Sequence, residues 1–417
     1  MTLDQIISSV SNFMVLIWSA HALEPIDFGR FSLAFLIYMF IQGGIVRSLV
    51  SWTVMAHPED ADSRARGVLG SAVLLAFVAG LFCIACGGAL LLVGSEMGTP
   101  IVLVGALMPL LSIQDVGRYL GIAQAKPGRA VFLDTLWLVL TVAALGAIAL
   151  TDNNSLLWLV LGWGGTGALA GLWVFVQQGV PRAHDLSLRW LRSRWEFSWR
   201  SLVAASSSAA VAMFGSLAVA VVSGPLAVAA VRAALILERP STTVQGSVAV
   251  SVGADIARQR PDNAGLIRMQ RRALVIGIAV AIVMVLIFFL IPDSFGRILL
   301  GDVWALVTPL LLVISLRVLA NGTQSGVRAA LMGRRQIKPV MKIDILGTVL
   351  MIAGMVIGAA IGDGEGAMWG AFVGQLITIF FWWGALIVHL RSDFTYPDDL
   401  DPAEVAILEG RTGEATV

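Results

Sequence analysis

The stretch that decides the fold is ALVIGIAVAIVMVLIFFL, residues 273–290, which contains no charged residue. Such a run, when helical, can cross the hydrocarbon core of a bilayer, since about 20 apolar residues suffice. Similar runs recur along the 417-residue chain. The chain is 58% hydrophobic and 13% charged, whereas soluble domains carry about 25% charged residues. The sequence therefore predicts an all-α integral membrane protein.

Glycine, proline and charged residues divide these runs into twelve predicted transmembrane spans. The first six spans lie near 5–22, 31–53, 68–93, 100–122, 130–150 and 155–178. The last six lie near 200–222, 225–250, 271–291, 303–328, 340–361 and 367–390. Because six spans return the chain to its starting side, the two halves can share one topology, as in many transporters. We therefore expect two six-helix lobes.

Four regions follow from this division. Residues 1–180 form the predicted N-terminal lobe and residues 201–391 the C-terminal lobe. Residues 181–200 connect them and contain three tryptophans and four arginines in the stretch from His184. This composition is typical of an amphipathic helix lying in the lipid headgroup region on the cytoplasmic side. Residues 392–417 carry seven acids and one base, which predicts an acidic, largely unstructured cytoplasmic tail.

Basic residues are distributed very unevenly between the loops on the two sides. Eighteen follow even-numbered spans, whereas two, Arg30 and Arg297, follow odd-numbered ones. Since basic loops stay in the cytoplasm, we expect a multi-pass protein of the bacterial plasma (inner) membrane with both termini cytoplasmic. The opposite loops are short and leave no room for an extracytoplasmic catalytic domain. We therefore expect the protein not to be an enzyme.

Other classes of site are disfavoured by the residues themselves. None of the three lysines lies in a phosphate-binding loop of the G-x-x-x-x-G-K-[ST] type. The four histidines are scattered, and Cys83 and Cys86 stand alone within an apolar run, where small packing residues are common. We expect no metal and no cofactor, apart from a coupling H⁺ or Na⁺. No nucleic-acid partner is predicted.

Arginines inside the spans are the main candidates for function. Arg47 lies in span 2, Arg232 and Arg239 in span 8, and Arg317 in span 10. An arginine at a bilayer centre costs about 2.5–3.5 kcal/mol, so an anion must offset several of them. Arg118 lies nearer a span end. The alternatives are structural ion pairs, or side chains that reach the interface from span ends.

Helical spacing adds polar neighbours to these arginines. In span 10, Asn321 and Gln324 share a face with Arg317 and Arg328. Thr243 shares one with Arg232 and Arg239. The predicted polar cavity lining is Asn321, Gln324, Thr243 and Gln42. Pro240 should kink span 8, while Gly43 and Gly44 leave space beside Arg47. Among the few acids within spans, Glu238 and Asp115 are candidates for ion coupling, although Asp115 could simply pair with Arg118.

A guanidinium suits a phosphate because its planar fork donates two parallel hydrogen bonds and stays charged. We therefore expect a phosphate-bearing lipid or metabolite in a cationic cavity between the two halves. The predicted diphosphate-binding residues are Arg47, Arg232, Arg317, Arg118 and Arg239.

The opening SNFMVLIWSAHALEPIDFGRFSLAF, residues 11–35, resembles polysaccharide flippases of the multidrug/oligosaccharidyl-lipid/polysaccharide (MOP) exporter superfamily. Those proteins carry a Leu-x-Pro-x-[Asp/Glu]-[Phe/Tyr]-Gly motif, matched by residues 23–29. Stretches 113–134 and 233–252 are also similar to their counterparts. The resemblance implies two lobes that alternate between inward-open and outward-open states, with arginines holding the diphosphate.

It further implies a cargo, a polyprenyl-diphosphate-linked oligosaccharide flipped from the inner to the outer leaflet for cell-surface polysaccharide export. Membrane lipid and polysaccharide polymerase or assembly proteins would be its partners. Two alternatives remain open. One is a drug or metabolite exporter of the multidrug and toxin extrusion (MATE) type, and the other is a non-transporting membrane scaffold of a polysaccharide-synthesis complex.

Overall fold

The structure is a computed structural model that describes residues 2–151, 153–199, 201–202, 211–334 and 336–392. Every regular element in these ranges is helical. Helices satisfy all their backbone hydrogen bonds internally, which the bilayer core requires. The predicted all-α membrane fold is therefore confirmed. The acidic tail beyond residue 392 lies outside the described residues.

Over the described residues of the first half, the α-helices with defined bounds are α1 Thr2–Ala22, α2 Pro25–Met39, α3 Trp52–Ala56, α4 Pro58–Ser63, α5 Ala65–Leu92, α6 Gly98–Ala123, α7 Pro127–Leu150, α8 Leu156–Val160, α9 Thr166–Gln178 and α10 Arg189–Ser193. Two π-helical segments, Phe40–Ser51 and Leu161–Gly165, join α2 to α3 and α8 to α9. Proline occupies the first position of α2, α4 and α7, where a missing amide hydrogen costs nothing.

The second half begins with a π-helical segment, Val211–Gly215. The α-helices that follow it are α11 Ser216–Gln259, α12 Asn263–Leu290, α13 Asp293–Leu300, α14 Trp304–Val307, α15 Leu311–Gly333 and α16 Ile337–Arg391. Short 3₁₀ turns, Gly301–Val303 and Thr308–Leu310, flank α14. Helix α13 lies where a loop was expected before span 10.

Within the described residues, nine helical segments are long and apolar enough to cross a membrane. Two of them contain an internal break. Helix α11 breaks at Gly224, where φ is 79°, and α16 breaks at Gly362 and Asp363. Each therefore supplies two spans, and with α1 these segments correspond to the twelve predicted spans. The break at Gly224 lies between predicted spans 7 and 8, which end near 222 and begin near 225, and Pro240 lies within helical backbone of α11.

Residue contacts divide the chain into two compact units, Met1–Met213 and Phe214–Val417. In unit 1, Trp163 packs at ring-centroid distances of 4.8 Å from Phe35 and 4.9 Å from Tyr38. In unit 2, the two segments of α16 cross at paired glycines. A Cβ atom on Gly370 would overlap the carbonyl oxygen of Gly354, and one on Gly366 would overlap that of Gly358. Small residues of this kind let membrane helices approach closely.

The segment predicted to be an interfacial connector belongs to unit 1. Trp190 and Arg194 both donate hydrogen bonds to the Asp60 Oδ2 atom, at 3.0 and 2.9 Å. Burial acts to raise the pKa of Asp60, but these two hydrogen bonds prevail and hold that pKa below its usual value. Trp195 and Trp199 are exposed. The connector is thus attached to α4 on one face and presents aromatic side chains on another.

Candidate functional site

In unit 1, Arg47 forms a two-pronged ion pair with a buried carboxylate. Its Nη2 atom lies 2.6 Å from Asp115 Oδ1 and its Nε atom 3.2 Å from Asp115 Oδ2. The Arg47 side chain keeps 25% of its exposure, whereas Asp115 keeps 4%. A planar guanidinium matches a carboxylate in this geometry. Arg47 therefore already has an anionic partner, while part of its side chain stays exposed.

Arg118 is more deeply enclosed than Arg47. Its side chain is 3% exposed and lies 3.1 Å from Asp134 Oδ2 and 3.5 Å from Asp115 Oδ1. Arg47, Asp115, Arg118 and Asp134 thus form one network, which we call the unit 1 charge network. Two cations and two anions give it a formal charge of zero. These four charges balance one another without a ligand.

Neutral side chains complete this network. Gln42, at 1% exposure, donates to Asp115 Oδ2 at 3.0 Å and accepts a short hydrogen bond from Ser112. The Tyr119 ring lies 4.9 Å from the Arg118 guanidinium carbon and 5.6 Å from that of Arg47. Gln42, which we predicted to line the cavity, is therefore placed inside the unit, where it orients Asp115.

Arg47 lies in the twelve-residue π-helical segment Phe40–Ser51. Such segments are rare and occur frequently at functional sites. A Cβ atom on Gly43 would lie 3.7 Å from Arg47 Nη1, so the glycine does leave space beside the guanidinium. Sequence reasoning missed the π-helical hydrogen bonding. Hydropathy and residue type carry no signal for this hydrogen-bond register.

In unit 2, Arg317 also pairs with an acid. Its Nε atom lies 2.7 Å from Glu238 Oε1, and its Nη2 atom lies 3.3 Å from Glu238 Oε2. The side chains are 9% and 7% exposed. The predicted binding residue and the predicted coupling residue are therefore direct partners.

Arg232 differs from the other buried arginines. The residue is 3% exposed, and its Nε atom has no hydrogen-bond partner. The structure gives its side chain no ion pair with any described residue, and Arg239, two turns further along the same helix, is a like charge. A buried charge without a partner is strongly unfavourable. Arg232 is therefore the cation of unit 2 that most requires an anion.

The remaining predicted residues occupy several environments. Arg239 and Thr243 are exposed on α11. Asn321 is half-buried and donates to Gln245 Oε1 at 2.6 Å, and Gln324 is half-buried on α15. Arg328, on the same helix face, pairs with Asp344 at 3.0 Å. The predicted polar stripe of span 10 thus ranges from buried to exposed along its length.

No set of three histidine, cysteine, aspartate or glutamate side chains could hold a metal ion in the part of the chain that the structure describes. The chemistry available to both units is therefore that of arginine, carboxylate and amide groups. These groups can bind anions and exchange protons.

No protein-family profile and no curated protein matches the sequence. Solved structures do match. An inward-facing multidrug resistance MATE family transporter of the MOP superfamily matches with a TM-score of 0.71 and 15% identity, over 93% of this chain and 96% of that one. The lipid II flippase MurJ, in an inward closed conformation, matches with a TM-score of 0.69 and 9% identity, over 99% and 90%. The chain shares the fold of these two solved structures.

A third match shows how variable the sites on this fold are. A MOP superfamily transporter from Pyrococcus furiosus matches with a TM-score of 0.58 and 13% identity, over 93% of each chain. It is described as having a binding pocket of reversed polarity that suggests a different function. These identities establish the fold and not the cargo, so the cargo must be argued from the side chains.

Proposed function

We propose that the protein is a secondary transporter that flips a polyprenyl-diphosphate-linked oligosaccharide from the inner to the outer leaflet for polysaccharide export. The observation that carries this proposal is Arg232, a buried guanidinium without a carboxylate partner. A diphosphate would supply the missing negative charge and accept its hydrogen bonds. The same fold in a lipid II flippase supports a lipid-linked cargo.

The paired arginines have a second role in this proposal. Arg317 is neutralised by Glu238, and Arg47 by Asp115. Protonation of either acid would free its arginine for the diphosphate, which would couple an H⁺ to anion binding. Glu238 and Asp115 are therefore the proposed coupling residues. A polysaccharide polymerase on the outer face would be the partner that receives the cargo.

The test replaces Arg232 and measures lipid-linked intermediates by mass spectrometry in a strain that depends on this gene. Arg232→Leu should cause a polyprenyl-diphosphate oligosaccharide to accumulate, as gene depletion does. The purified variant should stay folded, because a buried unpaired charge is replaced by an apolar group. Arg271→Leu, an exposed arginine of the same unit, is the matched control and should export normally. Normal export by folded Arg232→Leu would refute the role of Arg232.

The second candidate is a MATE-type exporter of drugs or metabolites, which the first structural match favours equally. This reading predicts an unchanged lipid profile on depletion, together with new sensitivity to cationic dyes. The two measurements on one depletion strain therefore separate the candidates.

A further inference from the structure

Unit 1 contains a cavity of about 700 Å³ at the junction of α4, α5 and the connector, within the size range of ligand sites. It lies on the side predicted to be cytoplasmic. Six charged or titratable residues line it: Asp62, Arg64, Arg66, His184, Asp185 and Arg189. None of these residues belongs to the proposed transport site.

The walls of this cavity are fixed by contacts between α5 and the connector. The Ser71 hydroxyl donates to the Ser187 carbonyl oxygen at 2.8 Å. Trp190, which lines the cavity, donates to Asp60 at 3.0 Å. A Cβ atom on Gly70 would overlap the carbonyl of Asp185. The walls of the cavity are therefore formed by helices and a connector that pack directly against one another.

The arginines of the cavity are largely free to bind a ligand. Arg66 and Arg189 form no hydrogen bond or ion pair with any described residue. Arg64 lies 3.7 Å from Asp60, whose other carboxylate oxygen is held by Arg194. Among the acids, Asp185 accepts from the Arg182 amide at 2.9 Å and contacts His184 at 3.2 Å. Three arginines therefore face two aspartates in the lining, and two of those arginines, Arg66 and Arg189, have no partner among the described residues.

Two further features favour an anion at headgroup depth. The 28-residue helix α5 begins at this cavity, and the first-turn amides of a helix attract anions. The connector also exposes Leu186, Leu188, Trp195 and Trp199, side chains that typically insert at the boundary of the bilayer.

We propose that this cavity binds a phosphate-bearing anion, held by Arg64, Arg66 and Arg189. The phosphate belongs either to the headgroup of an anionic lipid in the adjacent leaflet or to a free phosphate compound. Occupancy would add to the contacts that already join the connector to α4 and α5.

The test uses the purified full-length chain in detergent and native mass spectrometry with phosphatidylglycerol, and with phosphatidylcholine as the neutral reference. The double variant Arg66→Ala/Arg189→Ala should bind phosphatidylglycerol about tenfold or more weakly than the unaltered chain. The matched control is Arg182→Ala/Arg192→Ala, which removes the same charge from exposed connector positions outside the cavity. It should change affinity less than about twofold. All four arginines are exposed, so folding should be unaffected.

Inorganic pyrophosphate distinguishes the two sources of phosphate. Displacement of phosphatidylglycerol from the unaltered chain by pyrophosphate would assign the site to free phosphate compounds as well. Failure to displace it would assign the site to lipid headgroups. Equal weakening in the two double variants, or no preference for phosphatidylglycerol in the unaltered chain, would overturn the proposal.

Discussion

At the scale of single residues, the short ion pairs of the unit 1 charge network join different helices: Arg47 pairs with Asp115, and Arg118 pairs with Asp134. Asp115 and Arg118, which helical spacing places on one face of the same helix, lie 3.5 Å apart. Hydropathy and periodicity describe one helix at a time. They cannot show which helices become neighbours, and so could not separate paired arginines from unpaired Arg232.

The unit 1 charge network leads to a prediction about stability. Asp134→Leu leaves Arg118 without its nearest partner in a site that is 3% exposed. We expect a loss of about 3–5 kcal/mol of stability, because breaking a buried pair strands a charge. The double variant Arg118→Met/Asp134→Leu should recover most of that loss. Thermal unfolding in detergent measures both, and additive losses in the double variant would contradict the pairing.

At the scale of helices, the sequence predicted where spans occur and roughly where they end. The length of an apolar run and the prolines or glycines beside it are local properties of the sequence. They were therefore sufficient to predict where the spans lie. The irregular backbone was harder to predict. The turn between spans 7 and 8 lies at Gly224, where a positive φ suits glycine, and Pro240 keeps helical backbone angles within α11. The π-helical segments depend on hydrogen-bond register, which composition does not reveal.

The glycine crossing in α16 can be tested with two substitutions in one helix. Gly370→Ala places a methyl group against the Gly354 carbonyl, whereas a Cβ atom on Gly384 meets nothing within 4 Å. We expect Gly370→Ala to lower stability by about 1–3 kcal/mol through overpacking. Gly384→Ala should be neutral or stabilise by up to about 1 kcal/mol, since alanine favours helix. Thermal unfolding compares the two, and equal melting temperatures would argue against a close crossing.

At the scale of the whole molecule, the fold was predictable because twelve spans of matching topology point to few architectures. The cargo was not, because one fold hosts transporters whose pockets differ in polarity. Counting charges within the spans predicts an anionic ligand, and this stays a prediction. The identity of a cargo depends on the shape of its site, which hydropathy does not encode.

The uneven distribution of basic residues between the loops predicts which loops face the cytoplasm, and labelling of intact cells tests it. In a background with Cys83 and Cys86 replaced by alanine, a cysteine introduced by Ser294→Cys should react with a membrane-impermeant maleimide. One introduced by Gln259→Cys should react only after permeabilisation. Both positions are exposed, and they flank α12 on opposite ends. The reverse labelling pattern would contradict the orientation that the basic loops predict.

The neutral sum of the unit 1 charge network has an electrical consequence. A membrane potential acts on net charge, with about 2.3 kcal/mol per elementary charge per 100 mV across the full field. Arg47 and Arg118 are balanced by Asp115 and Asp134, so the voltage exerts no net force on these four side chains taken together. Arg232 carries an unbalanced charge, and a bound diphosphate would reverse its sign. On the proposal that Arg232 holds the diphosphate, the empty and the loaded protein should respond to voltage with opposite polarity at this arginine.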